Sequence, residues 1–222
     1  AKALALDDIS FGLEGAAGLA ILGRNGAGKS TTLKVIMGML APWSGRIDFD
    51  GDDITGWSAD QVARAGIGYV PEDRRVFQGL SVSENLETGA KPGHDGVTRW
   101  TADTVFDLFP EIARRRGAAA ATLSGGERQM LAVGRALMGN PRLLLLDEIS
   151  EGLAPVVVKR LGEALAALGR AGIAILIAEQ NHRLARQLAR DVIILETGRI
   201  VYRGDFHGLA ADPAIGTRFL GL

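Results

Sequence analysis

The chain has 222 residues, enough for one sizeable core or at most two small ones, and is 47% apolar, 23% charged and 5% aromatic. Its formal net charge of −1 creates no basic field for nucleic acid, and the lack of cysteine excludes disulfides and thiolate metal sites. No run approaches the ~20 apolar residues that cross a bilayer and no signal peptide opens the chain, so any service to a membrane is expected from its cytoplasmic face, through a partner.

The first buried run, Leu19–Leu22, reads as a strand. It feeds Gly23-Arg24-Asn25-Gly26-Ala27-Gly28-Lys29-Ser30, which fits G-x-x-x-x-G-K-[ST], the P-loop pattern, and a helix over about 29–39 follows at once. The glycines permit a tight fold whose successive N–H groups point at phosphate oxygens, and the helix N-terminus adds about half a positive charge. Lys29 supplies a full charge to the β- and γ-phosphates, Ser30 offers its hydroxyl to Mg²⁺, and Thr31 completes the ATP-binding set. The competing reading is a glycine-rich turn before an ordinary helix; the strand–loop–helix context weighs against it.

Arg46–Phe49, followed by Asp50-Gly51, reads as part of an antiparallel hairpin. Asp48, Asp50, Asp52 and Asp53 lack the glycine and glutamate spacing of a calcium loop and are read as a solvated turn. Ile67–Val70 is a second buried strand. The middle of the chain, about 76–123, has helical segments but no convincing strand, and reads as a helical insertion in which Arg114-Arg115-Arg116 is an exposed helix end.

Leu123-Ser124-Gly125-Gly126-Glu127 follows. Ser124 and Glu127 have capping-box spacing, and Met130, Val133 and Leu137 repeat at helical intervals along a helix over about 125–139. This is a second amide-rich helix end suited to an anion. Leu143–Leu146 is a hydrophobic strand ending in Asp147-Glu148, and in open α/β sheets ligands bind at such carboxyl ends. Asp147 is expected to hold Mg²⁺ through water, and Glu148 to polarise the water attacking the γ-phosphate, as general base or as its electrostatic equivalent.

A helix over about 156–170, a strand Ile173–Ala178 and a helix over about 181–189 come next. Val192–Leu195 then turns at Thr197-Gly198 into Ile200–Tyr202, a second hairpin. The alternation predicts an α/β fold with a largely parallel sheet and helices on both faces. His94 and His207 have no partners in sequence, and Trp43, Trp57 and Trp100 are read as packing residues.

In this order, the P-loop, the loop at Glu72, the LSGGE segment, the acidic strand end and the position of Gln180 resemble the ABC ATPases over nearly the entire chain. The segments Gly66–Glu72, Arg74–Phe77, Ser83–Leu86, Gln129–Met138, Glu151–Pro155 and Ala178–Asn181 are similar to the ATP-binding subunits of branched-chain (hydrophobic) amino acid importers, and a related urea and short-amide subgroup shares them. The resemblance implies a P-loop NTPase (RecA-like) core over 1–75 and 124–222, carrying a helical subdomain at about 76–123 within a single domain. It implies ATP and Mg²⁺ as ligands and a second ABC ATPase subunit, identical or paralogous, whose ATP is closed over by Leu123, Ser124, Gly125, Gly126 and Glu127. It further implies integral membrane permease subunits engaged through Glu72–Phe77 and the helical insertion, a periplasmic or extracellular substrate-binding protein reached indirectly, and a place at the cytoplasmic face of the inner membrane. An ABC ATPase of DNA repair or translation is the alternative, but the long coiled coils or fused cassettes of those proteins are missing from this sequence.

Four positions depart from the general family pattern. Glu72 replaces the glutamine that touches Mg²⁺ and is kept, with Ser30 and Asp147, as a candidate ligand of that cation, and Gln180 replaces the switch histidine. A glutamine hydrogen-bonds a γ-phosphate but carries no proton at neutral pH, which shifts the burden of catalysis to Glu148. Ile149 stands in place of a proline and Ala154 in place of an aspartate. His182 is set aside as the switch, because its helix is expected to turn it away. The first strand with its adenine-stacking aromatic is expected ahead of Ala1-Lys2-Ala3, since Phe11 falls too close to the P-loop.

Overall fold

The computed structural model describes residues 5–220. The expected strand before Ala1-Lys2-Ala3 lies outside these described residues. Six strands form the main sheet: β1 (Gly18–Leu22), β4 (Ile67–Val70), β5 (Leu143–Asp147), β6 (Ala174–Glu179), β7 (Asp191–Glu196) and β8 (Arg199–Asp205). Their order is β4-β5-β6-β1-β7-β8, parallel throughout except for the antiparallel pair β7–β8. The predicted first hairpin is present as β2 (Asp48–Phe49) and β3 (Asp52–Asp53), which form a separate two-stranded sheet.

The central strands are apolar on both faces because both faces are covered. On one side Ala20, Leu22, Leu144, Leu146, Ile175, Ile177, Val192 and Ile194 join a core with α6 (Gly125–Leu137), α7 (Pro155–Arg170) and α8 (His182–Leu188). On the other, Leu19, Ile21, Leu145, Leu176, Ala178, Ile193 and Leu195 pack with α1 (Lys29–Ile36) and α2 (Ala59–Ala65). Adjacent residues thus serve opposite cores, as the two-residue strand period requires. Leu144, Leu145 and Leu146 are fully buried, and each contributes about 1.5–3 kcal/mol by leaving water.

Between β4 and α6 the described residues form α3 (Val82–Glu87), α4 (Ala102–Leu108) and α5 (Pro110–Ala113), with one isolated antiparallel bridge between Ser81 and Ala119. Ser81 and Thr101 cap α3 and α4 with their side chains. The fully buried Asn85 amide accepts from the Phe77 N–H and donates to the carbonyls of Phe77, Leu80 and Ser81, fixing the loop that enters this region.

Several details differ from the sequence expectations. β6 runs through Glu179, and β8 continues to Asp205 past a register shift between Ile194 and Leu195. α2 and the C-terminal helices α9 (Phe206–Ala211) and α10 (Pro213–Ile215) were not foreseen, being too short for a helical period to stand out. Trp57 and Trp100 pack against the two cores, but Trp43 is 71% exposed and is not a packing residue.

Candidate nucleotide site

Strand order assembles the site. β6 lies between β5 and β1, so the segments leaving their three carboxyl ends emerge side by side: Glu148 after β5, Gln180 after β6 and the Gly23–Ser30 loop after β1. In the loop, Gly23, Gly26 and Gly28 have φ of 153°, 80° and 109°, a region that side-chain-bearing residues seldom enter. Gly28 is the N-cap of α1 and supplies no side-chain bond. The first amides of α1 are therefore open to an anion, with no capping side chain in competition.

Lys29 is buried, and its ammonium donates to the carbonyls of Gly23 at 2.8 Å and Arg24 at 3.2 Å. It also lies 2.9 Å from Glu148 Oε1. Glu148 Oε2 accepts at 2.9 Å from the Gln180 side-chain amide, which donates in turn to Asn25 Oδ1 at 2.7 Å. Loop, acidic strand end and switch position thus form one network.

Asp147, also buried, accepts from Ser30 Oγ at 2.7 Å and from the Tyr69 hydroxyl at 2.9 Å. Burial lifts its pKa above the ordinary carboxylate range, against the opposing pull of those two hydrogen bonds. Burial and the adjacent Asp147 also raise the Tyr69 phenol. Sequence reasoning missed Tyr69. Its signal is the β4–β5 register, which sets Tyr69 opposite Leu145, two residues before Asp147.

The Ser30–Asp147 pair suits Mg²⁺, a cation that keeps several waters and binds through one or two protein oxygens plus phosphates. Among the described residues no group of three or more His, Asp or Glu is placed to hold a metal ion. Glu72 is exposed and sits on the Glu151 carboxyl, and this shared hydrogen bond raises its pKa.

Glu148 has a φ of 44°, in the left-handed region. A proline after it would push it toward extended backbone, so Ile149 at that position lifts a restriction on the turn that aims the carboxylate.

Ser124 caps α6 with the expected reciprocal bonds: its Oγ accepts from Glu127 N–H at 3.2 Å, and Glu127 accepts from Ser124 N–H at 2.8 Å. Gly125 lies against Arg74, whose guanidinium would stand 3.0 Å from a Cβ there and which donates to the Glu151 carbonyl. Gly126 faces Val157 of α7, 2.7 Å from where a Cβ would be. Among the described residues no hydrogen bond or ion pair joins 123–127 to 23–31. His182 is the first residue of α8, one beyond the capping Asn181.

A family model described as "ABC transporter" matches residues 6–151. Over 220 residues the chain is 40% identical to the high-affinity branched-chain amino acid transport ATP-binding protein BraG of Pseudomonas aeruginosa, covering 99% of this chain and 94% of that protein. It is 31% identical over 218 residues to the lipopolysaccharide export system ATP-binding protein LptB of Escherichia coli, covering 97% and 90%. Among solved structures, a nucleotide-free ATP-binding cassette from an ABC transporter superposes with a TM-score of 0.82 at 24% identity, covering 97% of this chain and 92% of that one. No helix of the described residues is long and apolar enough to cross a membrane.

Proposed function

The chain belongs to the ABC transporter family as an ATP-binding, ATP-hydrolysing subunit, and from that premise we propose that it drives uptake of branched-chain or other hydrophobic amino acids. The observation that carries this solute class is the 40% identity to BraG over nearly the full length of both chains. Uptake of urea or short amides is the second reading, carried by the segments Gly66–Glu72 and Ala178–Asn181 that the two subgroups share.

The triphosphate enters a loop whose amides converge at the α1 N-terminus. Lys29 exchanges Glu148 for phosphate oxygens, since a γ-phosphate competes for the same ammonium. Glu148, released, orients the attacking water, while Gln180 donates its neutral amide and Asn25 holds it in place. Mg²⁺, when bound, would neutralise charge on the β- and γ-phosphates, with Ser30 and Asp147 as its protein ligands.

The 123–127 helix end is unengaged by the chain's own loop, which supports a dimer in which each copy or paralogue caps the other's nucleotide. We assign 1–75 and 124–222 to the core and about 76–123 to a helical subdomain. Permease subunits on the cytoplasmic face of the membrane dock beside Glu72–Phe77, where Phe77 is exposed.

Two experiments test this. Glu148→Gln should lower turnover by about 10²–10⁴-fold, the range of a lost general base, while ATP-dependent dimerisation persists. Unchanged turnover would remove Glu148 from its role. Reconstituted with its permease and solute-binding neighbours, the subunit should power uptake of labelled leucine or valine; uptake of urea instead establishes the second reading, and absence of any membrane partner overturns both.

A further inference from the structure

Beneath the Glu148–Gln180 contact lies a carboxylate that the mechanism above does not use. Glu179, the last residue of β6, is 2% exposed. Its Oε1 accepts from Ser150 N–H at 2.9 Å, and its Oε2 accepts from Ser150 Oγ at 2.9 Å and Asn181 N–H at 3.2 Å. Burial raises its pKa. All three donors are neutral, and they come from two different loops.

Keeping a charged side chain in such a place costs free energy that an apolar residue would not. The geometry shows what the carboxylate accomplishes. Ser150 follows Glu148 by two residues, and Asn181 follows Gln180 by one. Gln180 donates to Glu148 across the gap at 2.9 Å, and Glu148 N–H donates to the Ala178 carbonyl at 2.8 Å. Backbone and hydrogen bonds therefore close a ring that runs from Glu148 through Ile149 to Ser150, across to Glu179, along to Gln180 and back to the Glu148 carboxylate.

We propose that Glu179 is a positioning residue that binds the loop after β5 to the loop after β6, so that Glu148 and Gln180 keep one mutual geometry as the nucleotide enters and leaves. The left-handed backbone at Glu148 makes such support necessary, because a strained turn persists only where its surroundings over-determine it. The proposal rests on the catalytic reading of Glu148 and Gln180.

The test compares Glu179→Ala, Glu179→Gln, Ser150→Ala, the Glu179→Ala/Ser150→Ala pair and Glu148→Gln, each assembled in the full transporter. Glu179→Ala should lower kcat by about ten- to a hundredfold, the scale of a small misplacement, with KM for ATP held within about twofold. Glu179→Gln, which retains an acceptor for Ser150 N–H, should recover part of kcat, and the Ser150→Ala effect should largely vanish in the Glu179→Ala background. Full kcat in folded Glu179→Ala overturns the proposal, as does a fall in kcat and melting temperature that Glu179→Gln does not relieve. If Glu179→Ala does not fold, full kcat in both Ser150→Ala and Glu179→Gln overturns it equally. Retained turnover in Glu148→Gln would instead sink the catalytic reading itself.

Discussion

Lys29 and Glu148 form a buried ion pair, with Nζ 2.9 Å from Oε1 and side chains 2% and 9% exposed. The groups assigned to grip phosphate and to activate water thus satisfy each other before nucleotide arrives. Removing one partner strands a buried charge. Lys29→Met should therefore destabilise the nucleotide-free protein by about 3–5 kcal/mol, and the Lys29→Met/Glu148→Gln double variant by much less than the sum of the singles. Urea unfolding without ATP measures both; strict additivity would show that the pair is not energetically coupled.

Tyr69 reaches Asp147 from a neighbouring strand, and among the described residues Ser30 is the other side chain that hydrogen-bonds that carboxylate. Hydrogen bonds to charged groups contribute about 1.5–3 kcal/mol. Tyr69→Phe should weaken divalent-ion binding to the ATP-loaded protein by about tenfold at the lower end of that range, while metal-free ATP binding stays unchanged. Mn²⁺ titration followed by electron paramagnetic resonance reads the difference; equal Mn²⁺ affinity would place Tyr69 outside the metal site.

Gly18 opens β1 where α8 ends. A Cβ there would lie 2.1 Å from the Leu188 carbonyl oxygen and 2.8 Å from the Ala189 Cα. Both are backbone atoms, so relief requires a shift of β1 or of the chain after α8. Gly18→Ala should cost about 1–3 kcal/mol or more, read as a lowered thermal midpoint. A neutral result would mean that the strand and helix end separate freely.

The raised pKa of Glu179 has a pH signature. With the folded value above the unfolded one, the native state binds its proton more tightly. Its contribution is then most favourable below the ordinary glutamate value and is lost as pH rises through the raised one. Glu179→Gln should flatten the decline of stability across that window, leaving the part that the likewise raised Asp147 and Glu72 supply. Urea melts at a series of pH values test this, and an unchanged slope would contradict it.

What the sequence determined by itself is local. The P-loop, the Ser124–Glu127 capping box and the apolar strand ending in Asp147-Glu148 are each contiguous, and their conformations follow from glycine freedom, helix capping and the two-residue strand period. Only the tertiary structure decided which of these ends meet. Tyr69 and Asp147, 78 residues apart, meet because β4 pairs with β5, whereas Asn25 and Gln180, 155 apart, and Ser150 and Glu179, 29 apart, meet because β6 inserts between β5 and β1. No local propensity encodes that order. It is set by how two cores, one on each face of the sheet, are filled together, which is why Tyr69 read as an ordinary strand residue, and Glu179 as a residue just past a strand, until their neighbours were in place.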